Sequence, residues 1–185
     1  MIDDVLKDAD HKMDQTVAHT TQEFGGIRTG RANPGLLNRI TVDYYGTQTH
    51  LQQIAGFSVP EARLLVIQPY DKTAIPAIER AIQEADLGLN PSNDGNVIRL
   101  AFPSLTEERR KDMIRVVRNE AEGGRIAVRN IRRDSNEFLK MAKKEGDISE
   151  DDLFKGQDQV QEITDEFVKQ IDEIYKEKEK EIIEF

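Results

Sequence analysis

The sequence predicts an α+β protein: an elongated three-helix bundle with a small β/α domain inserted into it. Two features point there. Long stretches at both ends of the chain carry apolar residues in steps of three and four, which marks helices with one buried stripe. Between them lies a region of short alternating segments punctuated by Gly, Pro and Asn, which marks strands and turns. One long helix precedes this module and two follow it. A narrow apolar stripe is covered most simply by packing the three helices together. The expected division is therefore 1–30 with 105–185 as the bundle and 31–104 as the insert, and the chain crosses between the two twice.

The first helical stripe runs through Ile2, Leu6, Ala9, Met13, Val17, Thr20, Phe24 and Ile27. That helix should end near Thr29-Gly30, because Asn33-Pro34-Gly35 forbids continuation. Arg39 to Tyr44 alternates as a half-buried strand, with Tyr45-Gly46-Thr47 as its turn. Thr49 to Ser58 and Arg63 to Gln68 follow as further strands. Thr73 is placed to cap a short helix that tolerates Pro76 in its first turn and reaches about Ala85. Leu87-Gly88-Leu89-Asn90-Pro91 ends it, Asn93-Asp94-Gly95 is a tight turn, and Val97 to Ala101 is the last strand. Ser104 to Glu107 fits a capping box, with Thr106 as the other N-cap candidate. Ile114, Val117, Ala121, Gly124, Val128, Ile131, Ser135, Phe138 and Ala142 then predict one helix up to the break at Glu145-Gly146-Asp147. Ser149 caps the last helix, where Asp151 and Asp152 suit the N-terminal dipole. Its stripe is Leu153, Val160, Ile163, Phe167, Ile171, Ile174 and Ile182. Gly30 in the crossing at Thr29–Pro34 and Pro103 in that at Pro103–Thr106 suggest a hinge formed by Thr29, Gly30, Arg31, Ala32, Pro103, Ser104, Leu105 and Thr106.

Composition narrows the functional classes. With no Cys among 185 residues, disulfides, thiolate chemistry and Cys-ligated zinc are excluded. The longest apolar run, Leu64-Leu65-Val66-Ile67, is far short of a membrane span, and Met1-Ile2-Asp3-Asp4 lacks the pattern of a signal peptide. These features predict a cytoplasmic protein. The net charge of −9 argues against general polyanion affinity, but it is unevenly spread. Residues 106–133 hold 9 basic and 5 acidic side chains, whereas residues 134–185 hold 8 and 17.

The basic segment has a pattern. Arg125, Arg129, Arg132 and Arg133 fall at i, i+4, i+7 and i+8 and so share a helical face, away from Val128 and Ile131. Arg118 extends that face, and Glu122 is its main neutraliser. Arg109-Arg110-Lys111 begins the same helix, and Arg28 and Arg31 flank the first crossing. Planar guanidinium forks suit phosphate oxygens, so the pattern predicts anion binding. Structured RNA fits better than duplex DNA: no DNA-reading motif is present, and the 11 aromatic residues form no stacking platform. An acidic protein docked on the same arginines is the alternative.

No catalytic set emerges. Gly25 to Arg31 lacks the Gly-Lys-Ser/Thr ending of a phosphate loop and follows a helix instead of a strand. His11, His19 and His50 have no metal-ligand spacing. Asp147 to Asp152 departs from a calcium loop, since Asp152 stands where Gly is required. The sequence thus predicts a non-enzyme without cofactor or metal.

Five stretches in order resemble the bacterial ribosome recycling factor family over essentially the whole length. They are Ile27-Arg28-Thr29-Gly30-Arg31-Ala32, Asp43-Tyr44-Tyr45-Gly46, Asp86-Leu87-Gly88-Leu89-Asn90-Pro91, Leu105 to Lys111, and Val128 to Asp134. The resemblance implies an L-shaped, two-domain monomer with a flexible elbow. It also implies ribosome recycling: binding the post-termination ribosome at the large subunit and its rRNA, then, with elongation factor G and GTP, promoting subunit splitting and release from mRNA. GTP hydrolysis would belong to that partner. The family's RNA-contacting positions match Arg28, Gly30, Arg31, Arg110, Arg129, Arg132 and Arg133, with Arg132 central; the helical face adds Arg125. Gly25-Gly26 and Gly123-Gly124 interrupt two bundle helices where better helix formers are expected, each Gly costing about 1 kcal/mol relative to Ala.

Overall fold

The computed structural model describes every residue except Arg28 and Phe185. Among the described residues there are five α-helices, α1 (Ile2–Gly25), α2 (Leu51–Ile54), α3 (Ile75–Glu84), α4 (Glu107–Glu145) and α5 (Glu150–Glu184). The strands are β1 (Thr41–Tyr44), β2 (Thr47–His50), β3 (Ala55–Glu61), β4 (Leu64–Pro69), β5 (Pro91–Asn93) and β6 (Ile98–Ala101). Two compact units result: Met1–Ile27 with Lys111–Lys180, and Arg28–Arg110 with Glu181–Phe185.

The first unit is the helical one. Ala9, Met13, Thr20 and Phe24 of α1 are buried, as its stripe predicts. The helix stops at Gly25, earlier than the expected Thr29, because the Gly25-Gly26 pair is the weakest point in it. α4, by contrast, runs unbroken through Gly123-Gly124. A Cβ on Gly124 would lie 2.7 Å from Thr20 Oγ1 of α1 and 3.3 Å from Ile171 Cδ1 of α5. The missing side chain is what lets three helices close at that level. Gly156 of α5 is a second notch: a Cβ there would lie 3.1 Å from Leu139 Cδ1 and 3.7 Å from Ile2 Cγ2.

The buried row of α4 is Met113, Val117, Ala121, Gly124, Val128, Ser135, Leu139 and Ala142. Three positions differ from expectation, one of them Ile131, which is only half-buried. Met113 is buried where Ile114 was expected, and Leu139 fills the Gly156 notch while Phe138 is left 53% exposed. The N-cap of α4 is Thr106, whose Oγ1 accepts from Arg109 N at 3.1 Å. Ser149 caps α5 in a reciprocal box: Asp152 N donates to Ser149 Oγ at 3.1 Å and Ser149 N donates to Asp152 Oδ2 at 3.3 Å. Those bonds draw the Asp152 carboxyl below its usual range. The acids after Gly146 thus serve the helix terminus.

The second unit is built on two antiparallel sheets, β1-β2 and β3-β4-β6-β5. Ile75, Ile78 and Ile82 of α3 share a core with Leu65 and Ile67 of β4 and with Ile98 and Leu100 of β6. The alternation in β4 and β6 puts those residues on one sheet face. The expected Thr49–Ser58 strand is split by the single turn α2, whose Leu51 and Ile54 turn into the core. β5, read in the sequence as a helix terminator and turn, is a three-residue edge strand that pairs Pro91 with Leu100. Pro is tolerated there because an edge residue needs no ladder donor. Thr73 does not cap α3, whose N-cap is Ala74 with no side-chain bond; Asp71 instead caps the 3-10 turn Lys72–Ala74 that leads into it, accepting from Thr73 N at 2.9 Å.

Candidate nucleic-acid interface

The face predicted to bind anions lies on the middle of α4, and the structure sorts its arginines by what they already touch. Arg125 is the most committed, with a side chain 18% exposed. Its Nε and Nη2 both lie 2.7 Å from Asp172 Oδ1 on α5, and its Nη1 donates to Glu122 Oε2 at 3.0 Å. The Tyr175 ring lies 5.9 Å from its guanidinium carbon, within cation–π range. Burial disfavours the Arg125 charge, but Asp172 and Glu122 outweigh it and raise its pKa. Arg118 is engaged by the Tyr175 hydroxyl.

Further along the face the commitments weaken. Arg129, 44% exposed, has its Nη1 at 3.5 Å from Glu122 Oε1. Arg132 Nη1 donates to Gln161 Oε1 at 3.3 Å, and the Gln161 amide in turn donates to Asp165 Oδ1 at 2.8 Å. Arg133 is exposed. Arg129, Arg132 and Arg133 therefore form the accessible cationic part of the face, and Arg125 is its anchor.

The α5 partners were not singled out in the sequence. Gln161, Asp165, Asp172 and Tyr175 are spaced by four, seven and three residues, which places them on one side of a helix. That spacing is the only signal that could have found them.

The other expected site residues lie in the second unit. Thr29 is buried, donates through Oγ1 to Glu181 Oε1 at 2.9 Å and accepts from Arg31 N at 3.3 Å. Gly30 is buried and Arg31 is exposed. The first crossing is pinned to the β3–β4 turn, where Ala32 N donates to Ala62 O at 2.7 Å, and Phe102, the residue before the second crossing, donates from its N to Arg63 O of the same turn at 2.8 Å. Pro103 and Ser104 are exposed, Leu105 is half-buried and Thr106 is the α4 cap. Arg110 is half-buried, with its Nε shielded and without a hydrogen-bond partner. Arg28 lies outside the described residues. Among the described residues no group of acids and histidines could hold a metal ion, and no helix is long and apolar enough to cross a membrane.

Fold and site together define an α+β protein that carries accessible arginines on one long helix. The family model for Ribosome recycling factor matches residues 20–183. The ribosome-recycling factor of Syntrophomonas wolfei is 58% identical over 184 residues, covering 100% of both chains. That of Bacillus subtilis is 54% identical over 184 residues, again with full coverage of both. Among solved structures, the solution structure of a ribosome recycling factor superposes with a TM-score of 0.79 at 40% identity, over 100% of this chain and 98% of that one. A T. thermophilus ribosome recycling factor, described with E. coli elongation factor G on the E. coli post-termination complex, gives 0.69 at 44% identity, over 98% of each chain. The chain belongs to the ribosome recycling factor family.

Proposed function

We propose that this chain recycles ribosomes by holding the large subunit through the α4 arginines while elongation factor G acts on the bound complex. The observation that carries this reading is the accessible trio Arg129, Arg132 and Arg133, set beside an Arg125 that α5 already neutralises. Phosphates of rRNA are the ligands that such forks recognise, and Arg28, Gly30, Arg31 and Arg110 supply further contacts. The helical unit is the RNA-holding part. The β/α unit, with a hinge at Thr29–Ala32 and Pro103–Thr106, receives the push of the translocase, whose GTP hydrolysis supplies the energy. The chain works as a monomer in the cytoplasm, with no cofactor.

The test is light scattering of post-termination ribosomes mixed with the chain, elongation factor G and GTP. A scattering drop that needs every component is expected. Arg132→Ala should weaken ribosome binding by about 1–3 kcal/mol if the contact is charged and desolvated. An affinity unchanged within about a factor of two (well under 1 kcal/mol) removes Arg132 from the interface.

A further inference from the structure

We propose that Glu122 is a built-in counter-ion of the arginine face: it holds Arg129 while no RNA is bound and thereby limits how tightly the chain grips the ribosome. The inference rests on the RNA-binding reading above and adds a residue that sets its strength. Glu122 precedes Arg125 by three residues and Arg129 by seven, so all three share one face of α4. Its two carboxylate oxygens are divided between them, Oε2 at 3.0 Å from Arg125 Nη1 and Oε1 at 3.5 Å from Arg129 Nη1.

The two arginines differ in what they can give up. Arg125 directs Nε and Nη2 at Asp172 of α5 and is mostly buried, so leaving Glu122 for a phosphate would break up a cross-helix clamp. It is a positioning residue, and through it the Glu122 carboxylate is held where Arg129 can reach it. Arg129 is more exposed and has a longer, single-ended contact, which a phosphate offering two oxygens can replace. That replacement exchanges one arginine–anion pair for another and leaves the Glu122 charge facing the incoming phosphate. Each binding event therefore works against a fixed negative charge, and each release regains an ion pair. A factor that must leave the ribosome after every round is suited by such a limit.

The sign of one substitution decides the matter. Glu122→Gln keeps the shape and removes the charge. Binding of the radiolabelled chain to purified large ribosomal subunits, read by filter retention, should become about two- to five-fold tighter, the range of an exposed ion pair. In an Arg129→Ala background the same substitution should give no gain. A charge-matched control, Glu120→Gln, lies on the opposite side of α4 and should change affinity less. Weaker or unchanged binding of a folded Glu122→Gln protein, verified by its melting curve, overturns the inference, since a purely structural Glu122 loses affinity when altered. An equal gain in the Arg129→Ala background also overturns it, because the effect would then belong to the general field. If Arg129→Ala and Arg132→Ala both leave binding unchanged, the RNA-binding reading itself fails. A loss in those two with no gain in Glu122→Gln sinks the counter-ion alone.

Discussion

Thr20 of α1 and Gly124 of α4 approach so closely that a methyl group at position 124 would sit 2.7 Å from Thr20 Oγ1. Thr20 is 3% exposed, and its hydroxyl donates to Thr16 O at 3.0 Å, so its side chain has little room to turn away. Next to it, a Cβ on Gly123 would meet nothing within 4 Å. The two glycines should therefore respond oppositely to alanine. Gly123→Ala is expected to raise stability by about 0.5–1 kcal/mol through helix propensity. Gly124→Ala should lower it, because overpacking of about 1–3 kcal/mol exceeds that gain. Thermal melts of both variants, with Thr20→Ala combined with Gly124→Ala as the relieved pair, check the account. Equal stabilisation by both substitutions would show that the notch has slack.

A second prediction concerns acid. Asp71 accepts four hydrogen bonds: from Thr73 N at 2.9 Å and Thr73 Oγ1 at 2.6 Å, and from the hydroxyls of Tyr45 at 2.9 Å and Tyr44 at 3.1 Å. The Thr73 bonds are the main reason its pKa falls to about 2. The hub also steadies Tyr45, which turns the β1–β2 hairpin at φ 50, an unfavourable value for an aromatic residue. A depressed carboxyl stabilises the fold above its unfolded pKa, and that contribution is lost as pH falls through the folded value. The stability difference between the wild-type chain and Asp71→Asn should therefore be constant above about pH 4 and shrink toward pH 2. Denaturant midpoints taken down that range measure it. A difference that does not change with pH would show that Asp71 acts by shape alone.

The physical reasons behind what was and was not legible are local. Periodicity places α1, α4 and α5 well because a buried stripe constrains every third or fourth residue. It cannot choose between Phe138 and Leu139, which both continue the row from Ser135. The choice is made by Gly156 on another helix, whose missing side chain receives Leu139. The arginine face shows the same limit. Counting charges along α4 finds Glu122, but Asp172, which claims Arg125, is 47 residues away in sequence. β5 was hidden because Pro91-Ser92-Asn93 carries turn chemistry and becomes a strand only through its pairing with β6.

Arg125 and Arg133 should separate stability from binding. Arg125→Ala leaves Asp172 and Glu122 without their shared cation, and about 1–2 kcal/mol of stability should be lost. Arg133 is exposed, so Arg133→Ala should leave the melting curve within about 0.5 kcal/mol of wild type. Its cost should appear in ribosome binding, as a uniform loss with a salt slope shallower by about 1. Parallel melts and filter binding at several salt concentrations would read both. A stable, weakly binding Arg125→Ala protein would reverse the assignment of anchor and contact.

The last prediction tests how the first crossing is held. Thr29 Oγ1 is both the donor to Glu181 Oε1 at 2.9 Å and the acceptor from Arg31 N at 3.3 Å. The hydroxyl therefore ties the Thr29–Ala32 segment to the C-terminal turns of α5, and the Ala32 N bond to Ala62 O ties it to the β3–β4 turn. Thr29→Val preserves volume and branching but removes both hydroxyl bonds. Losing a bond to a charged acceptor should cost about 1.5–3 kcal/mol locally, because Thr29 is 8% exposed and water cannot readily replace it. Amide exchange at Arg31 should accelerate strongly, with a smaller effect at Ala32, whose own bond is intact. Amides in the middle of α4 should keep their protection. If exchange accelerates across α4 as well, the substitution has loosened the whole helical unit. If Arg31 exchange is unchanged, the Thr29 hydroxyl is not what protects that amide.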